Sequence, residues 1–590
     1  MDWTQTRLAA GWKNSRRRAA TPATFTEKQG HDRKENRRYL RGGITEGLAD
    51  PITGAISEDD NKLLKFHGSY QQDDRDQREE RRKQKLEPAF SFMIRARLPG
   101  GVVTPAQWLA FDQIACDWAQ FGLRITTRQT FQWHGVRKPF LKPTLQAINK
   151  AMSTTLATCG DVNRQVVSAT NPLLSEQHGL VQEWADKISE TFLPKTRAYA
   201  EIWLDGKKVE DAIDGEDFEP IYGKTYLPRK FKIGIAVPPL NDVDVFAQDI
   251  GLIAIIENNQ LLGFNVAIGG GMGATHGDDT TYPRLGSVIG FVRPEQLLAV
   301  CEAVITTQRD HGNRDERRHA RLKYTVDKLG ADWFLEEVQN RSGQTLEPSR
   351  PYHFDHNGDR FGWTQGSNGR WHLSLRIDSG RIMDTEVGPW LTGMREIAKI
   401  HQGQFRLTCN QNLIIADVPE EDKAKIDKLV ADHKLDVYQT QSGIRSSTIA
   451  CVSLPTCGLA MAESERYAPI LLPKLEALLD KYQLRDERIV LRISGCPNGC
   501  ARPYLGEIAL VGRALGRYDL RLGANFSGER LNVIYRQNIA EPEILSILDE
   551  LFGRFAAERL EGEHFGDFLV RAGVVAEPTS RLIPLVLQPA

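Results

Sequence analysis

The residues of this sequence best suited to chemistry are four cysteines, in Cys451-Val-Ser-Leu-Pro-Thr-Cys457 and Cys496-Pro-Asn-Gly-Cys500. Two close pairs separated by a helix-sized insert can bring four thiolates to one point. Thiolates are soft ligands, and four of them suit either zinc or an iron–sulfur cluster. Structural zinc sites usually clip the ion between cysteines two to four residues apart. Cys451 and Cys457 have five residues between them, a proline included, which suits a wider object such as a cubane cluster. Buried cysteines can also act as small hydrophobes. That reading leaves unexplained why half of the chain's eight cysteines fall in two short loops.

Cationic side chains are the next candidates. Arg95, Arg164, Lys230 and Lys232 stand out, the last two in Leu227-Pro228-Arg229-Lys230-Phe231-Lys232. Alternation on a strand puts Lys230 and Lys232 on one face. Such lysines are commonly solvated. The alternative is an anion pocket, in which arginine gives a bidentate fork and lysine a point charge and a proton. A second basic set comprises Arg124, Arg128, Arg309, Arg321 and Lys323, with Arg124 and Arg128 alternating about Thr126. It reads either as an exposed polar face or as a cradle for a polycarboxylate cofactor. Gly269-Gly270-Gly271-Met272-Gly273-Ala274 formally fits a dinucleotide fingerprint, but turn-forming residues follow where a helix must open, which argues against nucleotide binding. The glycines still permit close backbone approach to a flat or anionic ligand. No persuasive flavin site or second Cys-x-x-Cys cluster is present, so electrons must come from a partner.

The elements that position these residues occur twice. Phe90 to Leu98 reads as a strand. Thr104 caps a helix with Pro105 at its first position, and Leu123 to His134 reads as a second strand. Later, Trp371 to Arg376, a helical stretch from Leu391 to Ile400, and Phe405 to Ile415 repeat the order. Gly122-Leu-Arg-Ile-Thr-Thr-Arg-Gln-Thr-Phe131 and Gln404-Phe-Arg-Leu-Thr-Cys-Asn-Gln-Asn-Leu413 look like copies. Each is followed by a motif-rich loop, Thr158 to Arg164 or Cys451 to Cys457, and then by a later strand, Lys230 to Pro239 or Val490 to Cys500. A duplicated α/β (α+β) unit with pseudo-twofold symmetry is expected, its halves facing across a cleft for a large ligand.

At 590 residues, 41% hydrophobic and 26% charged, the chain has an ordinary globular balance and length for roughly three or four domains. A net charge of −1 gives no basic field for nucleic acid. Eight cysteines in this length do not make a secreted disulfide scaffold. No apolar run approaches the roughly 20 residues of a membrane helix. A cytoplasmic protein is expected, with a polar segment to about residue 35 that is mobile alone or orders on a partner.

These residues carry a resemblance. The chain resembles the haemoprotein (beta) subunits of assimilatory NADPH-dependent sulfite reductases, within the sulfite/nitrite reductase superfamily. The carriers are Lys65-Phe66-His67-Gly68-x-Tyr70-Gln71-Gln72-Asp73-Asp74-Arg75-Asp76, Arg97-Leu98-Pro99-Gly100-Gly101 and Thr127-Arg128-Gln129-Thr130-Phe131-Gln132. With them go Leu227 to Lys232, Thr306 to Arg314, Cys451-x5-Cys457-Gly458-Leu459-Ala460 and Gly495-Cys496-Pro497-Asn498-Gly499-Cys500. The resemblance implies a 4Fe–4S cluster on Cys451, Cys457, Cys496 and Cys500, with Cys500 also bridging to the iron of sirohaem. It implies that Arg95, Arg164, Lys230 and Lys232 bind sulfite. Arg124, Arg128, Gln132, Gly270, Gly271, Arg309, Arg321 and Lys323 would hold sirohaem. The implied reaction is six-electron reduction of sulfite to hydrogen sulfide in cysteine biosynthesis, fed by an NADPH-oxidising FAD/FMN flavoprotein (alpha) subunit. The domain expectation is 1–80 for docking and wrapping, 81–155 with 360–435 as paired ferredoxin-like halves, 156–345 as a first reductase domain facing substrate and sirohaem, and 436–590 as a second, cluster-bearing one. Cys159 departs from the NADPH-type pattern. Some ferredoxin-dependent members have a cysteine there, cross-linked to a tyrosine, for which Tyr70 is the candidate. The competing readings are a ferredoxin-dependent sulfite or nitrite reductase and, in another class, a non-catalytic four-cysteine zinc protein.

Overall fold

The computed structural model describes residues 40–577, apart from 121, 171–175 and most of 196–218. The expected N-terminal tail to about residue 35 lies outside the described residues.

Leu123 to His134, expected as one strand, is two, Leu123–Ile125 and Phe131–Val136. The Thr126 N–H donates to the Thr130 carbonyl at 3.0 Å, and Gln129 has φ 52°, so the polar run between them is a tight turn. Arg128 therefore stands in the turn and shares no strand face with Arg124. The second copy divides the same way. Phe405 to Ile415 becomes Gln404–Leu407 and Leu413–Val418 around Gln411, at φ 67°.

These hairpins build two antiparallel five-stranded sheets. The first runs Ser69–Asp73, Phe90–Arg95, Phe131–Val136, Leu123–Ile125, Arg381–Ile382. The second runs Gly362–Gln365, Trp371–Leu375, Leu413–Val418, Gln404–Leu407, Val102–Val103. Each takes its last strand from the other half, so neither closes alone. Helices pack on both, Pro105–Trp118 (opened by a Thr104–Gln107 capping box) with Leu141–Lys150 in the first half and Trp390–Ile400 with Lys423–Asp432 in the second. The halves share one core, in which Trp108 packs on Phe131 at 5.3 Å and on Phe405 at 4.6 Å between ring centroids. Arg395 clasps Asp112 on the opposite helix at 2.5 Å.

Two further sheets repeat each other strand for strand. One is ordered Val167–Ser168, Ile233–Ala236, Ile250–Glu257, Gln260–Ile268, Ser287–Val292. The other is Ile449–Ala450, Leu491–Ser494, Ile508–Ala514, Arg517–Leu522, Val533–Ile539. In both the first two pairings are parallel and the last two antiparallel. Strands buried on both faces need continuous apolar runs, which Ile250–Glu257 and Ile508–Ala514 supply. The fold is thus mixed α/β and duplicated, as expected. Among the described residues no helix is long and apolar enough to cross a membrane.

Candidate functional site

The two cysteine loops leave the ends of neighbouring parallel strands. Cys451 follows Ile449–Ala450, and its N–H donates to the Ile493 carbonyl at 3.1 Å. Cys496 and Cys500 follow Leu491–Ser494. The loops meet because Gly495 has no side chain, since a Cβ there would lie 2.0 Å from the Ser453 hydroxyl. The Gly495 N–H then points at Cys451 Sγ, 3.3 Å away, and the Asn498 amide at Cys496 Sγ, 3.5 Å away. All four cysteines are free thiols.

Burial, then the nearness of Cys500, pushes the other three thiols up: Cys451 to about 12, Cys457 and Cys496 to about 11. Cys500 is the foremost charged neighbour of each, and it alone of the four is exposed. Among the described residues no three His, Cys, Asp or Glu side chains are arranged to hold a single metal ion. Four soft sulfur donors brought together by two neighbouring loops, three of them with Cys500 as their foremost charged neighbour, are compatible with the iron–sulfur reading.

Beside this site the first half presents its cations. Lys230 and Lys232 fall just before the strand Ile233–Ala236, in an extended stretch that pairs with Asn163 through Phe231. Arg164 N–H donates to the Phe231 carbonyl at 2.9 Å and Phe231 N–H to the Val162 carbonyl at 3.0 Å. Parallel pairing with alternation turns Phe231 and Asn163 inward and puts Arg164, Lys230 and Lys232 together on the other face. Lys230 is lowered to about 7 by burial, then by Arg164, Arg229 and Arg321. Lys232 is lowered well below its ordinary value by burial and by Lys230. Neither lysine has a hydrogen-bonded or ionic partner among the described residues. Arg95 donates to the Thr158 carbonyl at 3.1 Å and to Cys159 Sγ at 3.3 Å, and Arg164 to the Gly160 carbonyl, so neither has an acid partner there.

The second basic set is engaged differently. Arg124 pairs with Glu465 at 2.8 Å, an acid it shares with Arg381. Arg321 grips buried Asp249 through both carboxylate oxygens at 2.9 Å. Arg309 pairs with Asp310 at 2.7 Å. Lys323 Nζ donates to the carbonyls of Gly271, Gly273 and Tyr282. Arg128 donates to Gln248 at 2.7 Å and is lowered to about 9 by burial. Gln132 meets Met93 Sδ at 3.4 Å and His134 Nε2 at 3.3 Å. A Cβ on Gly270 would strike the Phe246 carbonyl at 2.2 Å, and one on Gly271 would crowd Arg321 and Lys323. Among the described residues, two buried guanidinium nitrogens here lack a partner, Arg95 Nε and Arg128 Nε. Orphaned donors and unpaired cations beside close-packed glycines fit a polar, anionic ligand.

Sequence reasoning passed over two residues of this region, Arg229 and Asn163. Arg229 directly precedes Lys230 and is lowered to about 10 by burial and by Arg317. Asn163 neighbours Arg164 with an unsatisfied amide. Tyr70, the sequence's candidate partner for Cys159, is raised by burial and has Arg95, Cys159, Cys457 and Cys500 among its charged neighbours. Arg229 and Asn163 lay within quoted motifs, and only their adjacency to the chosen cations marked them.

Two family descriptions match the chain. "Nitrite and sulphite reductase 4Fe-4S domain" covers residues 183–346, and "Nitrite/Sulfite reductase ferredoxin-like half domain" covers 84–151 and 364–433. The first match falls on the half that carries the lysine pair, and the four cysteines lie outside both. A protein of Anoxybacillus flavithermus called sulfite reductase (NADPH) hemoprotein beta-component is 59% identical over 92% of this chain and 95% of its own length. One of Myxococcus xanthus with the same name is 59% identical over 92% and 96%. The solved structure of Mycobacterium tuberculosis NirA protein has the same fold, with a TM-score of 0.73 at 23% identity over 93% of this chain and 98% of that one.

Proposed function

The chain belongs to the sulfite reductase (NADPH) hemoprotein beta-component family of oxidoreductases, and from this we propose that it reduces sulfite to hydrogen sulfide with six electrons, in cysteine biosynthesis. The single observation that carries the site is the face that unites Arg164, Lys230 and Lys232, none ion-paired to an acid among the described residues, beside four thiols of which three are pushed up by burial with Cys500 as their foremost charged neighbour. On this reading Cys451, Cys457, Cys496 and Cys500 hold a 4Fe–4S cluster, and Cys500 is shared with sirohaem. Arg124, Arg128, Gln132, Gly270, Gly271, Arg309, Arg321 and Lys323 form the sirohaem surround. When bound, these groups supply the electron storage and the metal that no side chain here can provide.

The chain's own residues bind and protonate. An oxyanion in a dry pocket is held by charge-assisted donors from Arg95, Arg164, Lys230 and Lys232. Burial excludes water and sharpens each interaction. Lys230 Nζ, with its affinity for protons drawn down to about 7, can both hold an anion and release a proton near neutrality. The electron donor is an FAD/FMN flavoprotein that oxidises NADPH, the docking segment is 1–80, and the cytoplasm is the setting. Residues 81–155 with 360–435 form the central pair, 156–345 the substrate domain and 436–590 the cluster domain.

The absorption spectrum of the purified protein, with iron and sirohaem quantitation, tests this reading. A coloured protein with about four cluster irons and one sirohaem is expected. A colourless preparation with stoichiometric zinc would sink it. Arg164→Ala is expected to raise the KM for sulfite at least about tenfold, the cost of one charged hydrogen bond, with cofactor content intact. Loss of sirohaem instead would move Arg164 into the cradle. In the wild type, kcat/KM should fall as pH rises through about 7, because Lys230 is charged below that value and neutral above it. A Lys230→Ala profile that keeps the same alkaline limb would remove Lys230 from that role.

A further inference from the structure

We propose that Arg75 is a positioning residue for the four-cysteine site, latching the Cys457 loop and raising the reduction potential of the cluster held there. The inference rests on the cluster reading above.

After the strand Ser69–Asp73 the chain leaves its sheet and lies against the loop that carries Cys457, 382 residues onward. The Arg75 N–H donates to the Pro455 carbonyl at 3.1 Å. Its guanidinium Nη1 donates to the carbonyls of Cys457 at 3.1 Å and Ala460 at 2.5 Å. The next residue, Asp76, pairs with Arg466 at 2.6 Å, which also holds Glu463 at 2.5 Å. One backbone amide and two successive side chains thus fasten residues 75–76 to residues 455–466. Cys457 is held from both sides, since its own N–H donates to the Ser453 carbonyl at 2.9 Å.

Arg75 also differs from its neighbours in charge balance. Arg78 is neutralised by Asp73 at 2.5 Å, and Arg466 by two acids. Arg75 is half-buried and has no carboxylate partner among the described residues. An uncompensated cation beside thiolate ligands favours the more negative, reduced state of whatever they hold. Net charge and hydrogen bonding around the ligands are the protein's means of setting such a potential. One planar guanidinium nitrogen, Nη1, aims its two N–H bonds at the two carbonyls in a fixed geometry that a freely rotating ammonium does not impose.

The test uses the holoprotein and its Arg75→Gln and Arg75→Lys variants. Each is assayed for iron, titrated electrochemically while the cluster's electron paramagnetic resonance signal is followed, and challenged with an iron chelator. Arg75→Gln is expected to bind iron, to show a more negative cluster potential, and to lose iron about tenfold faster. Arg75→Lys should keep the potential near wild type and still lose iron faster, because charge is retained and the planar, fixed aim of Nη1 at the two carbonyls is not. An iron-loaded Arg75→Gln protein with wild-type potential and wild-type iron release overturns the inference and leaves the cluster reading intact. If Arg75→Gln does not fold, wild-type iron release from Arg75→Lys overturns it alone. A wild-type protein without iron overturns the cluster reading, and this inference with it.

Discussion

Cys500→Ser is expected to fold like the wild type and to lose more than about a hundredfold of sulfite turnover, beyond what loss of an outer-shell partner costs. The backbone around Cys500 is held by groups other than its sulfur. The Thr127 hydroxyl donates to the Cys500 carbonyl at 3.1 Å, the Ala501 N–H to the Ser494 hydroxyl at 3.3 Å, and Arg502 is buried in ion pairs. Serine nearly matches cysteine in volume, so the turn survives while a thiolate is replaced by an alcohol that stays protonated at neutral pH. The effect centres on this position because Cys500 is the foremost charged neighbour of all three other thiols and the one exposed cysteine of the four. Cys457, by contrast, is half-buried and Cys496 buried, and loss of either should prevent cluster assembly altogether. The distinguishing measurement is cofactor content against turnover. A Cys500→Ser protein with normal turnover removes the shared-ligand role, whatever its iron content.

The proposed ligand set comes from spacing alone, because metal chemistry imposes residue type and local geometry together. Cys451, Cys457, Cys496 and Cys500 needed no long-range information beyond the meeting of two loops. The duplication was legible for a similar reason, since Leu123 to Phe131 and Phe405 to Leu413 repeat type by type. What the repeat concealed was the turn inside each copy. Thr126 to Thr130 and Thr408 to Asn412 have strand-like composition, and the tertiary setting bends them into hairpins at Gln129 and Gln411. That bend takes Arg128 off the face it was expected to share with Arg124. The roles of the cations were less legible still. Whether an arginine is free for a ligand depends on acids far along the chain: Glu465 is 341 residues from Arg124, and Asp249 is 72 from Arg321. No local pattern records those partners. Lys230 and Lys232 show the converse, since only the structure reveals that no acid among the described residues forms an ion pair with them.

Asp244→Asn is expected to be the most destabilising conservative change in the molecule, at about 3–5 kcal/mol, the range for breaking a buried ion pair from one side. Asp244 is fully buried and bonds three partners: Arg492 Nη1 at 2.5 Å, Arg502 Nε, and the Asn357 amide at 2.7 Å. Arg492 is itself fully buried on the strand that leads to Cys496, and Arg502 follows Cys500 by two residues. One carboxylate from the first half therefore balances two guanidinium groups from the second, on either side of the loop that carries Cys496 and Cys500. Burial alone would raise the Asp244 carboxyl, yet Arg492 and Arg502 outweigh it and hold the group at about 2. Burial pulls Arg492 downward, but a guanidinium keeps its proton throughout the accessible range, so both arginines stay charged. Asparagine keeps the shape and leaves two buried cations with a neutral partner. The sign in pH follows from the depressed carboxyl. Its contribution is complete above the unfolded value near 3.8 and is lost as pH falls toward about 2. Denaturant unfolding at neutral pH should show the full loss in Asp244→Asn. The gap between variant and wild type should narrow only below about pH 4. A gap that stays constant through that window would mean that Asp244 stabilises by packing rather than charge. Equal stability of variant and wild type at neutral pH would show that the triad does not hold the two halves together.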